Sequence, residues 1–226
     1  MARDEGSGDR MLVAYVVPNE CAGSLTELEP AAGSVEQINR WREVWDDTYR
    51  QKPIQGDDLG FNMNGWNSSY TGVPIPAEEM HEWVQQAVNR VLSMGARSVL
   101  EIGAGSGLLL SRIAPDCTRY CANDFSPRAL SYLEEEVKRQ NLPQVTLLER
   151  SAENFEGLEP GSFDAVVLNS VVQYFPSADH LVKVLEGAAK VVRPGGAIFV
   201  GDVRSLPLLE AFDTSIELRG HLRRFR

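Results

Sequence analysis

Val99-Leu100-Glu101-Ile102-Gly103-Ala104-Gly105-Ser106-Gly107 is the stretch that decides the fold. Its apolar residues around Glu101 predict a buried strand that ends in an acid. The glycines then predict a tight turn, and the apolar run after it a helix. A nucleoside-bearing ligand can lie against bare backbone in such a turn, because glycine has no Cβ to obstruct it. A dinucleotide fingerprint reads G-x-G-x-x-G and would put its third glycine at position 108, which is Leu108. Here the third glycine is Gly107, giving G-x-G-x-G.

Downstream, strand and helix patterns alternate. Strands are expected near residues 98–102, 119–124, 145–149, 163–168 and 197–203, with helices near 107–114, 127–140, 178–192 and 206–222. Pro194-Gly195-Gly196 reads as a turn before the fifth strand. This alternation predicts an α/β fold with a mostly parallel sheet covered on both faces, a three-layer sandwich. Upstream, residues 35–51 read as a helix with Trp41, Val44, Trp45 and Thr48 on one face. Residues 56–76, rich in Gly, Pro and Asn, read as an ordered loop. Pro76-Ala77-Glu78-Glu79 opens a further helix that runs to about Ser93, with acids at its positive end. Residues 11–18 read as one strand and 19–34 as a linker. Three parts are therefore expected: 1–34, a foreign piece; 35–95, a helical extension or lid; and 96–226, the glycine-turn domain.

The chain has 226 residues, 43% of them hydrophobic, and a formal charge of -10. The acidic balance argues against nucleic acid as the main partner, since phosphate binding needs a basic surface. The sequence shows no apolar run of about 18 residues, so no membrane span is expected. The polar first ten residues are not read as a signal peptide. The basic tail 219–226 reads as a solvated helix end. Cys21, Cys117 and Cys121 form no C-x-x-C pair and read as free thiols in a reducing, cytoplasmic setting, with no metal.

The G-x-G-x-G turn behind Glu101 resembles the first motif of class I S-adenosylmethionine (SAM) methyltransferases, the Rossmann-like type. Open α/β sheets bind ligands at the carboxyl ends of their strands. The first strand end offers Glu101, Gly103, Ala104, Gly105 and Gly107 to the cofactor's methionine part. The second ends at Asp124, 21 residues after Gly103, followed by Phe125. A carboxylate there can accept from both ribose hydroxyls, or it can only cap the helix opened by Pro127. After the third strand, Ser151 or Glu153 can take the adenine amine, with a backbone amide near Ala152 serving the ring. After the fourth, Asn169, Ser170, Gln173 and Tyr174 are expected over the cofactor where the methyl group leaves; Tyr174 and Phe175 can also be core aromatics. Asp202 ends the fifth strand as a substrate-orienting acid, and Arg204 can pair with it. Gly60-Phe61-Asn62, the segment holding Trp66, Asn67 and Tyr70, and Glu79-Met80 are expected to form a lid. His81, His180 and His221 lie at no expected strand end and read as surface residues.

Taken together, residues 61–83, the motif around Glu101, residues 168–176 and residues 190–210 resemble the methyltransferase domains embedded in nonribosomal peptide synthetases. Residues 10–18 resemble a strand of an adenylation-domain C-terminal subdomain, as if a methyltransferase interrupted an adenylation domain. That resemblance implies SAM as cofactor. It also implies methylation of the α-amine of an aminoacyl thioester on a carrier protein's phosphopantetheine arm, among neighbouring synthetase domains. Asn169, Gln173, Tyr174 and Asp202 would act on the amine. The family continues beyond the fifth strand, so the sheet is expected to lack its last strands and expose an edge. Other class I chemistry (small-molecule or polyketide carbon methylation) and a SAM-binding piece without its own activity are the alternatives at this level.

Overall fold

The computed structural model describes residues 2–4, 10–12, 33–50 and 61–224. Two compact units divide the chain, Met1–Ala32 and Gly33–Arg226. In the first, strands β1 (Ala2–Asp4) and β2 (Arg10–Leu12) pair antiparallel. Residues 13–18 of the expected strand and 19–32 of the expected linker lie outside the described residues.

The second unit begins with helix α1 (Gly33–Arg50), two residues earlier than the sequence pattern suggests, and α2 (Ala77–Ser93). The glycine-turn strand is β3 (Ser98–Ile102). The helix after the turn starts only at Leu110: α3 (Leu110–Ile113) is a single turn continued by a 3₁₀ turn, Ala114–Asp116. Then come β4 (Arg119–Asp124), α4 (Pro127–Gln140), β5 (Val145–Glu149), β6 (Phe163–Asn169), α5 (Ala178–Val191), β7 (Val192–Gly201) and α6 (Leu206–Arg224). The sheet order is β5-β4-β3-β6-β7, every pair parallel, with β5 and β7 at its edges among the described residues.

Side chains alternate across this sheet with the two-residue period of a strand, so both faces are buried and the central strands read as continuous apolar runs. Val99, Tyr120, Ala122, Ala165 and Val167 face one layer, where Val84, Val88 and Val91 of α2, Ile113 of α3 and Leu133 of α4 meet them. Leu100, Ile102, Cys121, Val166 and Leu168 face the other, against Val184, Ala188 and Val191 of α5. Leu100 is fully buried, and Leu100→Ala would cost about 2–5 kcal/mol. Cys117 and Cys121 are buried free thiols, and burial pushes Cys117 up to about 11.

Strand β7 departs from expectation at both ends. It starts at Val192 and stops at Gly201, leaving Asp202 outside it. The pairing steps from Phe163↔Val192 to Ala165↔Ala197, so Pro194-Gly195-Gly196 is a bulge inside the strand rather than a turn before it. Arg193 Nε at the bulge donates to Asp164 Oδ1 (2.6 Å), while Asp164 Oδ2 accepts from the backbone N–H of Arg97 and Ser98 at 2.7 and 2.8 Å. Those bonds hold the Asp164 carboxyl down at about 2. No helix among the described residues is long and apolar enough to cross a membrane.

Candidate active site

A cavity of about 490 Å³ opens over the carboxyl ends of β3, β4, β5 and β6 and the end of β7. That is within the size range of small-ligand pockets, about 300–1,000 Å³. Its floor is the glycine turn. Gly103 and Gly105 hold φ of +74° and +54°, the left-handed region that favours glycine. A Cβ on Gly103 would come within 2.8 Å of Val171, and one on Gly105 within 2.9 Å of the Tyr49 hydroxyl. Glu101 and Ala104 also line the cavity. Gly107 does not: a Cβ there would meet Leu133 of α4 at 2.5 Å. Its role is close packing of the turn on the helix, a correction to the expectation that it touches a ligand.

Two buried carboxyls sit beside this floor. Glu101 accepts from the Tyr120 hydroxyl at 2.7 Å. Burial pushes its carboxyl up to about 8; the Tyr120 bond opposes that shift and the Asp124 charge adds to it. Asp124 accepts from the Gly105 N–H through Oδ2 and the Ser126 N–H through Oδ1, each at 2.9 Å. Burial raises its pKa against these bonds. Asp124 is not the cap of α4. Ser126 is, accepting from the Ala129 N–H, while its hydroxyl donates to Asp46 of α1. The Asp124 carboxylate thus keeps acceptor capacity for a ligand. Phe125, Ser151, Ala152 and Glu153 continue the lining along the end of β5. Arg150 pins that loop by donating to the backbone oxygens of Asn154 and Glu156.

The opposite wall comes from the ends of β6 and β7. Ser170 and Asp202 both leave their strands with positive φ (+57° and +56°), although neither is glycine. Such outliers persist where the surroundings over-determine them, and they cluster at functional sites. The Ser170 hydroxyl donates to Asp202 at 2.6 Å. Asn169 Oδ1 occupies the place where a side chain on Gly201 would be, 2.1 Å from that Cβ position. Gln173 and Tyr174 follow on a 3₁₀ turn, Val172–Tyr174. Gln173 Oε1 is a buried acceptor with no hydrogen-bond partner, and burial raises the Tyr174 hydroxyl. Arg204 lines the cavity but lies over the Phe212 ring at 5.0 Å, while the hydroxyl on Asp202 is that of Ser170.

The expected lid is only partly a lid. Trp66 and Asn67 line the cavity, with Trp83 against Trp66 at 4.5 Å. Tyr70 is outside the lining: its hydroxyl bonds Ser215 of α6 at 3.0 Å and its ring meets Phe212 edge-on. Glu79 is exposed on the first turn of α2, also away from the cavity. Phe61, Asn62 and Met80 are buried core residues, Phe61 stacked on His81 at 3.9 Å; Gly60 lies outside the described residues.

Two groups escaped the sequence reading. The α1 residues facing the cavity are Ile38, Trp41, Trp45 and Tyr49, whereas Val44 is exposed. The spacing 38, 41, 45, 49 is a helical stripe that could have revealed Ile38 and Tyr49. His180 is no surface residue: it lines the cavity, contacts the Phe175 ring edge-on at 4.9 Å and reaches Glu153 at 3.4 Å. The side chain of His221 lies outside the described residues.

Residues 100–198 match a family model described as a methyltransferase domain. Two solved structures share the fold. One is a phosphoethanolamine N-methyltransferase of Haemonchus contortus (TM-score 0.57, 18% identity, 74% of this chain and 32% of that one). The other is the N-methyltransferase NodS of Bradyrhizobium japonicum with S-adenosylhomocysteine (TM-score 0.53, 21% identity, 70% of this chain and 71% of that one). The chain thus has the Rossmann-like α/β fold of those methyltransferases, and its residues 100–198 match the methyltransferase domain model.

Sequence relatives narrow its setting. A chondramide synthase of Chondromyces crocatus is 46% identical over 217 residues, 96% of this chain and 5% of that protein. A nonribosomal peptide synthetase of Emericella nidulans is 34% identical over 218 residues, 93% of this chain and 8% of that protein. The chain is therefore homologous, along nearly its whole length, to a small segment of such synthetases.

The residues present fit SAM. The cavity has the volume, and the glycine floor offers bare backbone where a Cβ would collide with neighbours. A buried carboxylate at the end of β4 stands ready for hydroxyl donors.

Proposed function

We propose that this domain methylates the α-amine of an aminoacyl group held as a thioester on the phosphopantetheine arm of a carrier protein, working among neighbouring synthetase domains. The observation that carries this reading is the acceptor wall. Gln173 Oε1 is buried and unpartnered, and Gln173 lines the cavity together with Asn169 and Asp202. A row of acceptors suits a donor-bearing nucleophile, and an amine bears N–H donors.

In this reading Glu101, Gly103, Ala104 and Gly105 cradle the methionine part of the cofactor. Asp124 takes the ribose hydroxyls, and Phe125, Ser151, Ala152 and Glu153 border the adenine. SAM supplies an electrophilic methyl group. Asn169, Gln173 and Asp202 accept from the amine and aim its lone pair, and Tyr174 closes the wall behind it. On accepting that methyl group the amine nitrogen would release one N–H proton to solvent. An α-amine has an ordinary pKa of about 7.7–8.0, so part of it is neutral near pH 7 and no strong base is needed. Alignment and exclusion of water are what the protein must provide. Within residues 35–95, Trp66, Asn67 and Trp83 serve as the cover. Residues 1–34 are read as an adenylation-domain remnant.

Mass spectrometry of an aminoacyl carrier protein incubated with SAM and this domain tests the reading. The aminoacyl group should gain one methyl on nitrogen. Methylation of the free amino acid alone, or of a carbon, would contradict it.

A further inference from the structure

The cavity wall supplied by α1 is a set of rings that the readings above leave without a role. Trp41 meets Tyr174 edge-on at 4.7 Å and 63°, and Trp45 meets Tyr174 at 5.5 Å and 82°. Tyr49 stacks on Trp45 at 5.7 Å. All four rings line the cavity. Their placement is held from several sides. The Tyr49 hydroxyl hangs over Gly105, and Trp45 lies on Gly65, where a Cβ would come within 2.7 Å of its ring. Asp46, between Trp45 and Tyr49 in sequence, accepts from Ser126 beside Asp124. The rings therefore span the gap from the glycine turn to the acceptor wall.

We propose that Trp41, Trp45, Tyr49 and Tyr174 form an aromatic cage that selects a cationic sulfur centre over a neutral one. The proposal rests on the reading that the cavity holds SAM. With the ribose at Asp124 and the nucleophile at Asn169 and Gln173, the sulfur and its methyl must lie in between, under these rings. Ring faces carry negative quadrupole charge and attract a cation, more strongly when water is excluded. The steep interplanar angles matter here, because rings that meet edge-on present faces in different directions and can wall a cation from more than one side.

Asp124 and Asp202 flank the rings, beside Tyr49 and Tyr174, and their negative charge adds to the attraction for a cation. Of the arginines lining the cavity, Arg150 is tied to the backbone oxygens of Asn154 and Glu156, and Arg204 lies over Phe212. Glu101 is bonded to Tyr120, and burial favours its neutral form. The cage has a functional consequence. The sulfonium of SAM is positive, whereas the thioether of the by-product S-adenosylhomocysteine is neutral. A cation-selective cage holds the reactant and lets the product go.

The test is calorimetric titration of the chain, without carrier substrate. Three ligands are used: SAM, S-adenosylhomocysteine, and sinefungin, which carries an ammonium-bearing carbon in place of the sulfonium. Both cationic ligands should bind more tightly than S-adenosylhomocysteine, by roughly tenfold. Trp45→Leu and Trp41→Leu should each shrink that ratio several-fold, while Trp45→Tyr, which keeps a ring face, retains most of it. Binding of S-adenosylhomocysteine by each variant reports an intact fold. Equal weakening of all three ligands would make the rings mere packing and overturn the cage, as would an unchanged ratio in both leucine variants. If the unaltered chain binds none of the three, the cofactor-site reading itself falls.

Discussion

Asp164 at the amino end of the sheet accepts from two backbone N–H groups and Arg193, and its carboxyl is held down at about 2. At the carboxyl end, Glu101 and Asp124 are buried deeper and pushed the other way, Glu101 to about 8. Nearby, Gln173 Oε1 lacks a partner, and Ser170 and Asp202 hold left-handed conformations. At the amino end the Asp164 carboxyl is thus satisfied by the protein itself, with Ser162 Oγ beside it left unpartnered, and the carboxyl end keeps carboxyls, an acceptor and strain in reserve. Perturbed carboxyls gathered in a cleft with unfilled hydrogen bonds mark the end where a ligand belongs. A perturbed carboxyl with all its partners at hand marks structure.

Substitutions can break that contrast. The largest effect on ligand binding is expected from Asp124→Ala, because charge-assisted hydrogen bonds to a ligand contribute about 1.5–3 kcal/mol each. Calorimetry with S-adenosylhomocysteine should show affinity reduced on the order of 100-fold or more. Asp164→Asn should leave that affinity unchanged and instead lower folding stability by about 1–3 kcal/mol, read from denaturant titration. A comparable loss of affinity in both variants would erase the distinction.

Gly201→Ala sharpens the picture of the acceptor wall. Its Cβ would displace Asn169. Turnover should fall by roughly tenfold to a hundredfold, since small misplacements of reacting groups are costly. S-adenosylhomocysteine affinity should change far less.

The pH dependences of the two ends run in opposite directions. For Asp164 the folded pKa is depressed, so its stabilisation is present above about 3.8 and is lost as pH falls toward about 2. For Glu101 the folded pKa is raised. The folded state binds its proton more tightly, so stability falls as pH rises from about 4.5 to about 8. Thermal melts of the ligand-free chain should lose part of that upper slope in Glu101→Gln and part of the acid slope in Asp164→Asn.

Much of the fold was legible because the sheet is buried on both faces. Val99-Leu100 and Ala165-Val166-Val167-Leu168 are apolar runs that could be little else, and Pro127 announces a helix start. The ends of β4 and β6, and with them Asp124 and Asn169, followed directly, whereas β7 stops one residue short of Asp202. Gly107 was misread because spacing cannot tell a glycine that faces a ligand from one that faces Leu133. The bulge at Pro194-Gly195-Gly196 mimicked a turn, because the same residues serve both. His180 and the α1 stripe were missed because their place depends on tertiary packing: α1 is distant in sequence from the strands whose ends it covers.

A crystal structure of the complex with S-adenosylhomocysteine tests the central claim most directly. The account predicts ribose hydroxyls on the Asp124 carboxylate, the amino-acid part over Gly103 and Gly105, and the sulfur between the α1 rings and the wall of Asn169 and Gln173. A ligand bound elsewhere, or bound in this cavity with its ribose away from Asp124, would contradict it.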